Sequence, residues 1–430
     1  MPFWHTRKLA GFPSDLAQTM ISIGPTLFQA ARIFTFSSAV SVLFSIAVSQ
    51  ILLALAVVTL LLSGAKLRLP RIWLPLAVFL LGTLVSLALS ADPSSGLPQV
   101  RKIFVFLMLL VVFSTLADLV LVRRLVLFWA GFGALVATRG LVQFLNKWQE
   151  ARAAGRSFYE YYVGERITGF MSHWMTFGGQ EMIVLLMLAS FLLFAPQPGK
   201  RGRWFWLLSG VILSAALILG FTRSIWLATG VAGLYLVWQS RRWWILIAPT
   251  VALAILVIAP TTVRDRFSSL LQPRRDVDSN MHRVITWRTG LRMIQAHPWF
   301  GLGPEQVKVQ FYDYLPSDIP KPLPPGWYGH LHNIYLHYAA ERGIATMLAL
   351  VWLLVTAIWD FLRALRRLPA GPSNAKFLLH AGVAIVAAVM ISGIFELNLG
   401  DSEVLMMFLV VAGFGYIAAE QASGERTADA

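Results

Sequence analysis

The sequence predicts an all-α, polytopic integral membrane protein, and three observations carry that expectation. Of 430 residues, 57% are hydrophobic and only 13% charged, with a mean hydropathy of +0.66, whereas a soluble chain carries about a quarter charged residues. Apolar runs recur at lengths of about 17 to 25 residues, enough to cross a bilayer as a helix. Blocks such as ILLALAVVTLLL (51–62) lack the alternation of a membrane β-barrel, and in hydrocarbon only helices and closed barrels satisfy their own backbone.

About twelve spans are expected, near 30–46, 48–64, 72–91, 99–116, 122–145, 174–195, 204–221, 224–239, 243–260, 344–364, 376–397 and 402–420. The first two are separated only by Ser49 and Gln50, so a single long tilted helix is the alternative there. Charge orders the spans. The loops after even-numbered spans read GAKLRLPR (64–71), the Arg123–Arg124 pair, PGKRGR (198–203), SRR (240–242) and RALRR (363–367), all basic. Those after spans three, seven and eleven, ADPSSG (91–96), FTRS (221–224) and NLGDSE (398–403), share one arginine. Short cytoplasmic loops are the basic ones, so both termini are expected in the cytoplasm. The net charge of +15 thereby reads as a topology signal, and no nucleic-acid partner is inferred. MPFWHTRKLAGFPSD lacks the apolar core and cleavage site of a signal peptide, and the first span is expected to act as an uncleaved signal. With no cysteine, disulfides and thiolate chemistry are excluded.

This divides the chain into residues 1–260 with nine spans, a large outer loop over 261–343, and residues 344–430 with three spans. The loop carries more basic than acidic residues, an excess available to an anionic ligand because long loops escape the topology rule. Within it MHRVITWRTGLRMIQAH (281–297) reads as an amphipathic helix at the membrane interface, with Val284, Leu291 and Ile294 on its apolar side. Pro298, Gly301 and Gly303 turn the chain after it, and KPLPPGWYG (321–329) is a stiff return.

Chemistry concentrates at HLHNIYLHYAAERGIAT (330–346). His330, His332 and His337 lack the i, i+4 spacing that suits one metal ion, so no metal site is expected. Asp276-Val277-Asp278, flanked by Arg274 and Arg275, reads as a solvated turn. A partly desolvated histidine stays neutral and can take a proton from a hydroxyl. Arg223 stands at the N-terminal turn of span eight, where an anion would gain from both the helix dipole and the guanidinium. Arg283 and Arg166 can face the same outer vestibule, and converging guanidinium forks suit a phosphate or diphosphate. His337 lies i, i+4 from Glu341, a helix-face pair, and Glu396 and Asp401 sit at the outer end of span eleven.

His332-Asn333, nine residues, Gly343, two residues and Thr346 resemble the His-[Asn/Ser/Gln], Gly, [Gly/Thr/Tyr] signature of bacterial O-antigen ligases. Upstream, Arg283, Trp287, Pro298, Gly301 and Gly303 resemble the Arg-x-x-x-Trp and Pro-x-x-Gly-x-Gly pattern of the wider ligase and polymerase superfamily. The resemblance implies a membrane glycosyltransferase of the C-type fold with one large periplasmic loop, working without metal or other cofactor. It implies transfer of a polysaccharide from undecaprenyl diphosphate to a sugar hydroxyl of lipid A-core at the periplasmic face of the inner membrane. It assigns the functional histidine to His332 and diphosphate binding to Arg223 and Arg283, with Arg288, Arg166 and Asn333 as secondary candidates. The alternatives are a polymerase or protein O-oligosaccharyltransferase of the same superfamily, and, in another class, a transporter of an anionic lipid or solute. The transporter lacks support, because the chain shows no repeated halves or paired broken helices.

Overall fold

The computed structural model describes residues 14–243, 257, 261–268, 280–324 and 326–424. Among them the regular structure is entirely helical: α1 (Ser14–Ser41), α2 (Ile46–Leu62), α3 (Trp73–Ala88), α4 (Pro93–Arg101), α5 (Leu107–Thr115), α6 (Leu119–Ala153), α7 (Phe158–Gly164), α8 (Trp174–Phe194), α9 (Lys200–Leu219), α10 (Arg223–Ser240), α11 (Thr261–Ser268), α12 (Asn280–Ala296), α13 (Gln306–Gln310), α14 (Ile334–Leu365), α15 (Asn374–Gly393) and α16 (Ser402–Ser423), with short 3₁₀ turns between some of them. Seven of the described segments are long and apolar enough to cross a membrane: Pro93–Thr115, which joins α4 to α5, and α6, α8, α9, α14, α15 and α16. The 17-residue α2 and 16-residue α3 are shorter apolar helices. The polytopic, all-helical expectation therefore holds, while among the described residues seven segments, fewer than the expected twelve, meet the length and hydropathy of a span. The expected ninth span and the Arg274–Asp278 turn lie almost wholly outside the described residues.

The first two helices break at 42–45, not at Ser49. Ser45 caps α2 by accepting the Val48 N–H, at 3.4 Å, and Ser49 inside α2 donates back to the Ser38 carbonyl of α1 at 2.8 Å. This local capping makes two helices of a run that hydropathy alone leaves continuous.

The bundle is centred on α8, α15 and α16, whose spanning windows are 78%, 78% and 83% buried; α9, at 22%, lies at the edge. Small residues let the central helices approach. The Phe361 ring of α14 fills the space beside Gly382 of α15 and Gly415 of α16, where an added Cβ would stand 2.8 and 2.3 Å from it. Exposed Trp204, Leu208 and Val211 on α9 are what a lipid-facing edge requires.

Helix α12 packs on the protein with the face opposite its expected apolar side. Its buried residues are His282, Ile285, Thr286, Thr289, Gly290 and Met293, while Val284 and Leu291 are about half exposed. Hydrophobicity points to the opposite face because the helix packs on a polar, small-residue seam: Leu331 occupies the space beside Gly290, and Thr286 Oγ1 donates to the Leu331 carbonyl at 3.4 Å.

The start of α14 also differs. Helix begins at Ile334, ten residues before the apolar run, and Gly343 interrupts it at φ 82°, ψ 161°. The turn after α12 docks at this break. Leu302 N–H donates to the Ala340 carbonyl (2.9 Å), Gly303 N–H to Glu341 (2.8 Å) and Ile344 N–H to the Pro298 carbonyl (2.9 Å). A Cβ on Gly343 would stand 1.9 Å from the Trp299 oxygen, and one on Gly301 2.3 Å from the Glu341 carbonyl carbon. Both glycines also have positive φ. The two sequence patterns that carry the resemblance are therefore one hydrogen-bonded unit, and their glycines serve backbone contact.

Candidate active site

At one end of the bundle α8, α10, α14 and α16 begin and α3, α9 and α15 end, so several helix N-termini, with their positive dipole ends, share one region. The centre of that region is Glu396, on the loop after α15 and 3% exposed. Its Oε1 accepts from Arg283 Nη2 at 2.7 Å and from Ser224 Oγ at 3.3 Å. Its Oε2 stands 3.6 Å from Nδ1 of His332. Among the described residues neither of these two atoms has another hydrogen-bond partner, so each is placed to satisfy the other. Burial works to raise the Glu396 carboxyl, but the His332 imidazole and the charges of Arg283 and Arg166 outweigh it and hold the group below its ordinary range.

His332 is held in a backbone conformation that few non-glycine residues adopt, φ 48°. Its N–H donates to His330 Nδ1 at 3.3 Å and its carbonyl accepts from Trp287 Nε1 at 3.5 Å. The tryptophan of the Arg-x-x-x-Trp pattern thus pins the histidine while the arginine of the same pattern binds its carboxylate. Such strain at a site is kept only when surrounding contacts over-determine it. Placing Nδ1–H toward Glu396 leaves Nε2 with its lone pair, the tautomer a general base needs.

Arg283 also donates from Nε to the Phe395 carbonyl at 3.3 Å. Arg223 opens α10, and its Nη2 donates to Asn280 Oδ1 at 2.8 Å, at the start of the helix that carries Arg283. Arg166, buried, donates to the Val163 carbonyl and lies over the Trp174 ring. Burial, then the nearby Arg266 charge, pulls its pKa down to about 9, still protonated at neutral pH. The structure thus gathers His332, Arg283, Arg223 and Arg166 at one end. Arg288 does not join them: it makes an exposed bidentate pair with Asp318, both bonds 2.9 Å. Asn333 caps α14, its Oδ1 accepting the Tyr335 and Leu336 N–H groups at 3.0 Å each, which is a reason for Asn in the pattern that requires no substrate.

Sequence reading missed three neighbours. His282 packs 5.1 Å from the His332 ring, and burial, then the His332 charge, lowers it to about 4. His173 caps α8, its Nδ1 accepting the Met175 N–H at 3.2 Å. Arg266, also buried, donates to the Phe221 carbonyl at 3.1 Å and to Tyr159 Oη at 3.3 Å, bracing the turn before Arg223. The alternation that marks spans carries no signal for such contacts, although the adjacency of His282 and Arg283 is one. His330 acquires the local task of receiving the His332 N–H. Among the described residues no group of three or more His, Cys, Asp or Glu is arranged to hold a metal ion.

Three arginines and a cluster of helix N-termini near the Glu396 carboxylate and the His332 imidazole can neutralise a multiply charged anion beside a base. A comparison with curated proteins returns no match. Residues 208–351, which include Arg223, Arg283 and His332 but neither Arg166 nor Glu396, match the family described as O-antigen ligase.

Proposed function

We propose that the protein is an O-antigen ligase that transfers a polysaccharide from undecaprenyl diphosphate to a sugar hydroxyl of lipid A-core, at the periplasmic face of the inner membrane. The family match supports a glycosyltransferase of the O-antigen ligase and polymerase superfamily. The observation that carries the finer reading is the line Arg283–Glu396–His332, in which a buried carboxylate faces Nδ1 of the imidazole and turns Nε2 into a base. The acceptor O–H gives its proton to Nε2 as its oxygen bonds to the anomeric carbon. The bond from that carbon to the diphosphate oxygen breaks, and its electron pair leaves on the diphosphate. Arg223, Arg283 and Arg166, with the helix N-termini, offset the charge that develops there. The carboxylate at the site, Glu396, is taken up by Arg283, Ser224 and His332, which favours a single displacement with inversion over a covalent intermediate. No step calls on a metal.

The basic loops lie at the opposite end, where Arg71, Arg363 and Arg367 line one cleft; under the positive-inside rule this supports an outer position for the His332 end. The test is reconstitution of purified protein with lipid-linked glycan and lipid A-core, with and without chelator. Product in chelator is expected. Product formed only when a second lipid-linked glycan replaces lipid A-core would make the chain a polymerase instead.

A further inference from the structure

The imidazole of His332 has two sets of neighbours. Toward Glu396 it meets the arginines. It also meets rings: His330 at 4.0 Å and His282 at 5.1 Å between centroids. Each of these hands on to an aromatic residue of the same loop. His282 packs on Tyr328 at 4.3 Å, and His330 on Trp327 at 4.9 Å. Tyr328 in turn lines a cavity of about 430 Å³ together with Tyr312, Lys321, Pro322, Pro324 and Gly326, a size within the range of small-ligand sites.

We infer that this groove binds sugar rings of the acceptor oligosaccharide, an assignment that rests on the ligase reading above. A sugar presents a C–H face, which packs on aromatic and proline surfaces, and a rim of hydroxyls, which needs polar partners. Tyr312 is 66% exposed and Trp327 64% exposed, an arrangement that leaves flat ring faces open beside the groove. Lys321 places three N–H donors at its wall. Tyr328 is held by its hydroxyl, which donates to the Pro324 carbonyl at 2.8 Å, and prolines limit how far the wall can relax. A stiff site loses less freedom on binding. The segment Phe311–Tyr328 is outside the apolar spanning helices, which favours a glycan over a lipid surface as its occupant.

The groove is also in the right place. In an inverting transfer the leaving diphosphate and the attacking hydroxyl lie on opposite faces of the donor sugar. The ring contacts His332–His282–Tyr328 join the base to the groove, so an acceptor seated there runs toward the imidazole. Tyr312, Trp327 and Lys321 are therefore acceptor-specificity residues and take no part in proton transfer.

Two measurements separate this inference from the reading it rests on. Binding of a core oligosaccharide stripped of acyl chains, followed by calorimetry on the intact protein, reads the groove. Transfer with full substrates reads the function. Tyr312→Ala should weaken oligosaccharide binding and raise the acceptor KM, each roughly tenfold, with the donor KM and kcat within about twofold. Tyr312→Phe should behave as wild type because the ring face remains. An unchanged oligosaccharide affinity in Tyr312→Ala and in the Tyr312→Ala, Trp327→Ala pair would overturn the groove, even with transfer intact. A shift confined to the donor KM would also overturn it, as would a loss seen only with acylated acceptor in vesicles, which would identify a lipid surface. Absence of transfer in the wild type alongside intact oligosaccharide binding would sink the ligase reading alone.

Discussion

Two clusters at this end of the molecule contain the same three residue types and behave differently. One is His332, Glu396 and Arg283; the other is His337, Glu341 and Arg342. In the second, His337 Nε2 lies 3.4 Å from Glu341 Oε2, with both side chains 6% exposed or less. Arg342 donates to Thr83 Oγ1 at 3.2 Å and sits over the Tyr338 and Phe79 rings at 4.2 and 5.2 Å. This cluster is enclosed between α3 and α14. In the first cluster the three residues come from three separate segments, the histidine backbone is strained, and its side chain is 15% exposed. What distinguishes the first cluster is access, strain and long-range assembly, not its residue types.

Truncating each histidine puts the contrast under the greatest load. His332→Ala is expected to lower transfer by about 10²–10⁴ in kcat with insertion unchanged, while His337→Ala lowers the melting temperature and spares turnover of the folded fraction. Equal loss of turnover in both would end the distinction.

Gly343→Ala tests whether the docked break at the head of α14 is needed by both clusters. The Cβ has nowhere to go beside the Trp299 carbonyl, and a cost on the order of 3 kcal/mol or more is expected, seen as lost folded yield. A normal yield would show that the break can shift without penalty.

Glu396→Gln removes charge and keeps size. It leaves the Arg283 guanidinium without its buried carboxylate, for a loss of about 3 kcal/mol. Because Glu396 is held below its ordinary value of 4.5, its contribution is fully present above about 4.5 and disappears as pH falls through the lower folded value. Melting curves of wild type and variant should therefore stay apart from about pH 8 to about pH 5 and converge only in stronger acid. Convergence already near neutrality would contradict the paired carboxylate.

For the arginines, Arg223→Lys should lower kcat/KM by roughly tenfold, since one ammonium cannot replace the fork toward a diphosphate. Arg342→Lys should alter stability alone. If the Arg223→Lys variant turns over as fast as the wild type, bidentate recognition is wrong.

The smallest effect is expected at Asp401, which accepts from Thr176 Oγ1 at 2.7 Å beside the site. Burial pushes its carboxyl up to about 6. The folded state then keeps a proton that the unfolded chain releases, so stability is lost as pH rises from about 4 through about 6. Asp401→Asn should raise the melting temperature at about pH 8 and leave it nearly unchanged at about pH 4; the same gain at both would refute the shift.

The residues alone suffice for the membrane class, the helical architecture and the alternation of basic loops. These properties follow from hydropathy, charge and local spacing, which act over a few residues or one helix. Arg223, Arg283 and His332 stand out in the sequence as well, the last two through a pattern whose segments are mutually hydrogen bonded, and the fold brings the three to one end. Packing in three dimensions is what brings Glu396, 64 positions further along the chain, to face His332, turns Arg288 to Asp318, makes Asn333 a helix cap and buries the polar seam of α12. Those outcomes depend on which surfaces meet when distant helices pack. No periodicity within a single segment records the identity of its partner.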